Sequence, residues 1–134
     1  MKISPEKKKE LELKLDKARW WALKTKETVF YGQLMMNLND ELDFSIPTAC
    51  TDGKKIRWNP DFLDKMNEKS IRYVLIHETE HCALGHLWRF KFPKKGDKVT
   101  PADKKRVNKA NQACDHAINL RLNDSSFKSY IEMP

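Results

Sequence analysis

Residues Ile76–His86, IHETEHCALGH, hold three of the chain's four histidines and two glutamates. They follow Ile71-Arg72-Tyr73-Val74-Leu75-Ile76, a segment apolar enough to enter a core. A segment that is core-forming at one end and densely titratable at the other must bind something or present a polar face, because a buried charge without a partner is costly. The spacing says what it can bind. His77-Glu78-Thr79-Glu80-His81 is HExxH. On an α-helix, residues i and i+4 lie about 40° apart around the axis, so both imidazoles reach one point. Zinc takes neutral histidine nitrogen and wants about four ligands in a tetrahedron. Glu78 projects about 100° from His77, beside such an ion and not onto it. There it can serve as the general base that activates a zinc-bound water. The competing reading is a polar helix face with incidental histidines.

A third protein ligand is needed. His86 lies nine residues after His77, which on a continuous helix puts it about 180° away. The pattern HExxHxxGxxH returns a histidine ten residues after the first; with Gly85 and His86 where they stand, it is not met. His86 therefore reads as a packing or hydrogen-bonding residue. Another candidate sits near the end of the chain, where Asn111, Asp115 and Asn119 fall at i, i+4, i+8. Around them Ala113, Cys114, Ala117, Ile118 and Leu122 are small or apolar. Asp115 could complete a His-His-Asp site, with Asn111 or Asn119 supporting it from behind; the alternative is an exposed aspartate on a solvated face. His116 is adjacent but points about 100° away.

At 134 residues the chain is one domain, expected to span 1–134. That is long enough for a hydrophobic core without a disulfide framework. The cysteines, Cys50, Cys82 and Cys114, are odd in number and form no CxxC pair, which suggests free thiols in a reducing compartment. No run of about eighteen apolar residues spans a membrane, and MKISPEKKKE lacks the apolar stretch of a signal peptide. A cytoplasmic location follows as the expectation. The formal net charge of +7 attracts polyanions loosely. Much of it comes from lysine runs such as Lys7-Lys8-Lys9 that read as solvated faces, and no nucleic-acid-binding signature accompanies it.

Pro5 to about Leu38 reads as one or two helices, with Leu11, Leu15, Ala18, Ala22 and Val29 at helical spacing. Gly32 is expected to break the run, and Trp20, Trp21, Phe30 and Tyr31 to pack into the core. Thr48-Ala49-Cys50, the turn signal Thr51-Asp52-Gly53 and the alternating Lys55-Ile56-Arg57-Trp58 predict a β-hairpin. Asn59-Pro60 caps and opens a short helix, and Asn67 or Ser70 opens the helix carrying HExxH. Phe92 to Asp103 reads as a loop or flap. A last helix runs from Pro101 or Ala102 to about Leu122. The tail to Met133-Pro134 has little pattern, and its abrupt stop fits the N-terminal part of a longer parent.

Four stretches in this order resemble a zincin-like metallopeptidase-domain family of bacteria and phages, whose members often precede a von Willebrand factor A-like domain. Thr48–Gly53 with Ile56–Pro60 is similar to its TAxTDGxxixxNP segment. The His77–His81 helix follows, with Gly85-His86-Leu87-Trp88-Arg89 after it, and Ala113–Asn119 resembles its AxDxxIN helix. The resemblance covers roughly residues 30 to 134. It implies His77, His81 and Asp115 as ligands of a Zn2+ ion and Glu78 as the catalytic base of a peptidase acting on a peptide or protein. The implied fold is α+β and zincin-like, with a small antiparallel sheet packed on a long N-terminal helix, the HExxH helix and a C-terminal ligand helix. The alternative is a non-catalytic, metal-stabilised module whose basic surface contacts a protein or nucleic-acid partner; there a fourth protein ligand would close the site.

Overall fold

The computed structural model describes residues 3–83 and 100–134. Helix α1, Pro5–Lys24, starts where Ser4 accepts a hydrogen bond from the Lys7 amide and proline fills the first turn. Its Leu11, Leu15, Ala18 and Ala22 are buried on one face. Helix α2, Val29–Met35, doubles back against α1. The break between them falls at Thr25–Thr28, not at Gly32: the Thr25 amide closes α1 on the Trp21 carbonyl, and the buried Thr28 hydroxyl donates to the Ala22 carbonyl at 2.9 Å. Gly32 lies inside α2, and a β-carbon there would stand 2.8 Å from the Leu23 nitrogen. Its role is close approach of two backbones. Of the four aromatic residues expected in the core, Trp21 is buried and Tyr31 half-buried, whereas Trp20 and Phe30 are exposed.

Three strands follow: β1, Asn39–Leu42; β2, Ala49–Thr51; and β3, Lys55–Trp58. The β2–β3 hairpin forms as expected. Gly53 takes a φ of 91°, and the Asp52 carboxylate accepts from the amides of Lys54 and Lys55. The sheet as a whole is not antiparallel. Its order is β1-β3-β2, with β1 running parallel to β3. The sequence hides β1 because Asn-Asp-Glu-Leu is a poor strand former; tertiary bonds hold it instead. The carboxylate of Asp40 accepts a forked pair of hydrogen bonds from Arg19 of α1, at 2.9 and 2.7 Å, and one from the Trp58 indole at 3.0 Å. Ile56 and Trp58 point inward and are fully buried.

Asn59 caps helix α3, Pro60–Lys65, through bonds from the amides of Asp61 and Phe62, and its own amide group donates to the Ile46 carbonyl. Helix α4, Glu68–Ala83, is capped by Asn67, whose side chain accepts from the Ser70 amide at 2.8 Å. Helix α5, Pro101–Asn123, packs against α4 with Ile118 and Leu122 buried. The patternless tail is ordered by a 3-10 turn at Lys128–Tyr130 between the buried Phe127 and Ile131. The architecture is α+β: among the described residues, five helices surround one core, with a three-stranded mixed sheet at one side. Among the described residues, no helix is long and apolar enough to cross a membrane.

Gly32 offers a test in which two effects oppose. Alanine in a helix interior is favoured over glycine by up to about 1 kcal/mol, whereas overpacking against an unyielding backbone costs about 1–3 kcal/mol. Gly32→Ala should therefore destabilise by about 1 kcal/mol, seen as a lower urea midpoint at unchanged slope. A raised midpoint would mean that α1 and α2 stand further apart.

Candidate metal centre

Helix α4 is buried over most of its circumference between α1, α2, α5 and β2. Ile71, Leu75 and Ile76 supply the apolar part of that contact. Tyr73, His77 and His81 are spaced by four, so they form one ladder along the helix. The Tyr73 and His77 rings stack at 6.3 Å and 27°, and His77 meets His81 edge-on at 5.0 Å. Opposite them α5 presents Asp115 and Asn119, one turn apart. The Nε2 atoms of His77 and His81 both lie 3.0 Å from the same Oδ1 of Asp115. The Tyr73 hydroxyl donates to Asn119 Oδ1 at 2.6 Å, and Asn119 also reaches the His77 imidazole. The helix pairing thus brings together the two histidines and the aspartate that the spacing singled out. His86 and Arg89 lie outside the described residues, as does the side chain of Asn111. His116 is exposed and is not in the cluster.

Two imidazole nitrogens and one carboxylate oxygen, all within 4.8 Å of one another, form a group that could hold a metal ion. The donor set can be tested against known bond lengths. Ligand bonds of about 2.0–2.2 Å in a tetrahedron separate neighbouring donors by roughly 3.3 Å. The 3.0 Å spacing found between Asp115 and each histidine is close to that. The side chains of His77 and His81 are about 15% and 14% exposed, that of Asp115 51%. The nitrogens are walled in by protein and the carboxylate stands at the opening.

The electrostatics are asymmetric. Hydrogen bonds from His77 and His81 hold the Asp115 carboxyl well below the usual carboxylate range. Burial alone would lower the His77 pKa, but the Asp115 hydrogen bond and the charge of Glu78 outweigh it and raise it. Glu78 is buried, 7% exposed. Desolvation pushes its pKa up to about 7, against the opposing pull of the two histidines.

On the other flank of α4, Glu80 is 1% exposed and faces Arg121 Nε of α5 at 3.3 Å. Tyr31 of α2 lies beside the same pair. Sequence reasoning missed Glu80 and Tyr73. Tyr73 carries a usable signal, an aromatic residue one turn before a candidate ligand. Glu80 carries none, because a glutamate inside HExxH reads as solvated filler.

The sequence profile of the family described as "Putative metallopeptidase domain" matches residues 11–130. The chain belongs to that family. Searches of curated proteins and of solved structures found no match. In this family member, then, the His-His-Asp cluster rests on its own geometry.

A proton and a metal ion would compete for His77. Because its pKa is raised, metal affinity should fall as pH drops through and below the histidine range, and titrations should show proton release on binding. Asp115→Ala should weaken binding by about tenfold or more, read by competition with a chromophoric chelator. Affinity unchanged by that substitution, or by pH between 8 and 5.5, would remove these side chains from the metal.

Proposed function

We propose that this domain is a zinc-dependent peptidase in which His77, His81 and Asp115 hold the ion and Glu78 is the general base. One observation carries the reading: a single carboxylate oxygen lies 3.0 Å from two histidine nitrogens, and the next residue along the helix from one of them is a buried glutamate. Two nitrogens and one oxygen suit zinc among the common divalent ions. When bound, such an ion supplies Lewis acidity, lowering the pKa of a water and polarising a carbonyl. The chain's own residues do the remainder. Glu78, with a pKa near neutrality, is suited both to accept a proton from water and to return it to a leaving amine. Tyr73, hydrogen-bonded to Asn119, stacks on the His77 ring and helps keep its nitrogen aimed at the site. The exposed side of Asp115 leaves an approach for a peptide carbonyl.

The substrate in this reading is an extended peptide or protein segment. Strand β2 stands at the edge of the sheet beside α4. Its outer edge, unpaired among the described residues, can align such a segment through backbone hydrogen bonds. A small sheet with its edge strand next to an HExxH helix also supports a zincin-like fold. No disulfide links Cys50, Cys82 and Cys114, which fits the cytoplasmic location that belongs to the same proposal.

Elemental analysis of chelator-free protein should find about one zinc per chain. Glu78→Gln should retain that zinc and the fold while cleavage of a quenched-fluorescence peptide library falls by about 10²–10⁴-fold. Loss of the metal in this variant would make Glu78 a ligand and overturn its assignment as the base.

A further inference from the structure

Beside His77 and Glu78 opens a cavity of about 290 Å³. Phe62 of α3, Val74 of α4, Ala49 of β2 and Met133 of the tail supply its apolar wall. The tail is fixed in place there. The Glu132 amide donates to the Lys69 carbonyl at 3.2 Å, and Ile131 just before it is buried. Met133 is therefore a wall residue in a defined position, and its thioether adapts to varied shapes.

What lines the cavity differs sharply from the rest of the chain. Lysine and arginine make up 26 of 134 residues, yet among the described residues neither lines it, and Glu78 is its one acidic side chain. Moving a charged side chain into such a space without a partner is costly, whereas an apolar one gains by leaving water. Size narrows the choice. Pockets for whole drug-sized ligands run from about 300 to 1,000 Å³. At about 290 Å³ this one suits a single large side chain and not a run of them. Because His77 and Glu78 are among its lining residues, the side chain inside belongs to a residue flanking the carbonyl that those groups address. Ala49 and the residue before it, Thr48, also line it. A segment laid along β2 alternates its side chains and can turn one of them inward here.

We propose that this cavity is the specificity subsite, selecting peptides with one uncharged, apolar side chain of leucine, methionine or phenylalanine size next to the scissile bond. The inference rests on the zinc peptidase reading, and the test separates the two. Calorimetric titration of zinc-loaded protein would compare acetohydroxamate, which anchors to a metal with no side chain, with hydroxamates carrying an isobutyl, a benzyl or an aminobutyl group. The isobutyl and benzyl probes should bind at least about tenfold tighter than acetohydroxamate, and the aminobutyl probe no tighter. In Met133→Trp, which narrows the space from its half-exposed rim, the isobutyl advantage should shrink to less than about threefold. If acetohydroxamate binds but the four probes rank equally, or the aminobutyl probe leads, the cavity proposal is overturned and the metal centre stands. If acetohydroxamate does not bind at all, the open metal site fails and the subsite falls with it.

Discussion

Everything in this fold is arranged around a helix that must be buried although it carries four titratable groups within five residues, His77 to His81. Apolar contact on Ile71, Leu75 and Ile76 draws α4 into the core. Each polar group then needs a partner, because an unpaired one at that depth would cost more than a hydrogen bond returns. The partners come mainly from α5. Asp115 meets both histidines, and Arg121 meets Glu80 on the opposite flank. Two independent polar attachments thus set how α4 and α5 lie against each other. That makes the spacing of the donor atoms a property of the helix pair and not of a loop, which is what a precise site requires.

Glu78 is the exception, and its chemistry follows from that. It is buried like Glu80 but faces the cleft, where desolvation raises its pKa. Two glutamates two residues apart on one helix thereby acquire different roles. One is tied into an ion pair and fastens helices; the other is kept near neutrality beside the histidines. Their sequence context is nearly the same, and only the elements packed around α4 distinguish them.

Much of the scaffold was legible because its signals are local. The start of α1 at Pro5, the caps at Asn59 and Asn67, the Thr51-Asp52-Gly53 turn and the extent of α5 depend on residues within a few positions of each other. The parts that escaped depend on distant partners. Strand β1 is recruited by Arg19 and Trp58 acting on Asp40. Gly32 serves a backbone in another helix rather than ending its own. Trp20 and Phe30 cannot be told from Trp21 by type, since the geometry of α1 against α2 decides which ring faces inward. In the cluster, HExxH spacing and the Asp115–Asn119 stripe each marked one wall. Their meeting is a tertiary fact that neither segment states alone.

The uneven exposure of the cluster has a kinetic side. The histidine nitrogens lie behind Asp115, whose carboxylate stands half in solvent. An ion arriving from water would meet the anion first and the imidazoles second, so capture would be helped by charge before any nitrogen had to be freed of its proton. Departure would follow the reverse order: water would loosen the carboxylate, and a competing chelator could attach to the exposed side before the last nitrogen let go. Exchange through such a partly open gate would be faster than from a centre enclosed by four protein ligands. The ion carried would then track the free metal around the protein, instead of recording what was present when it folded.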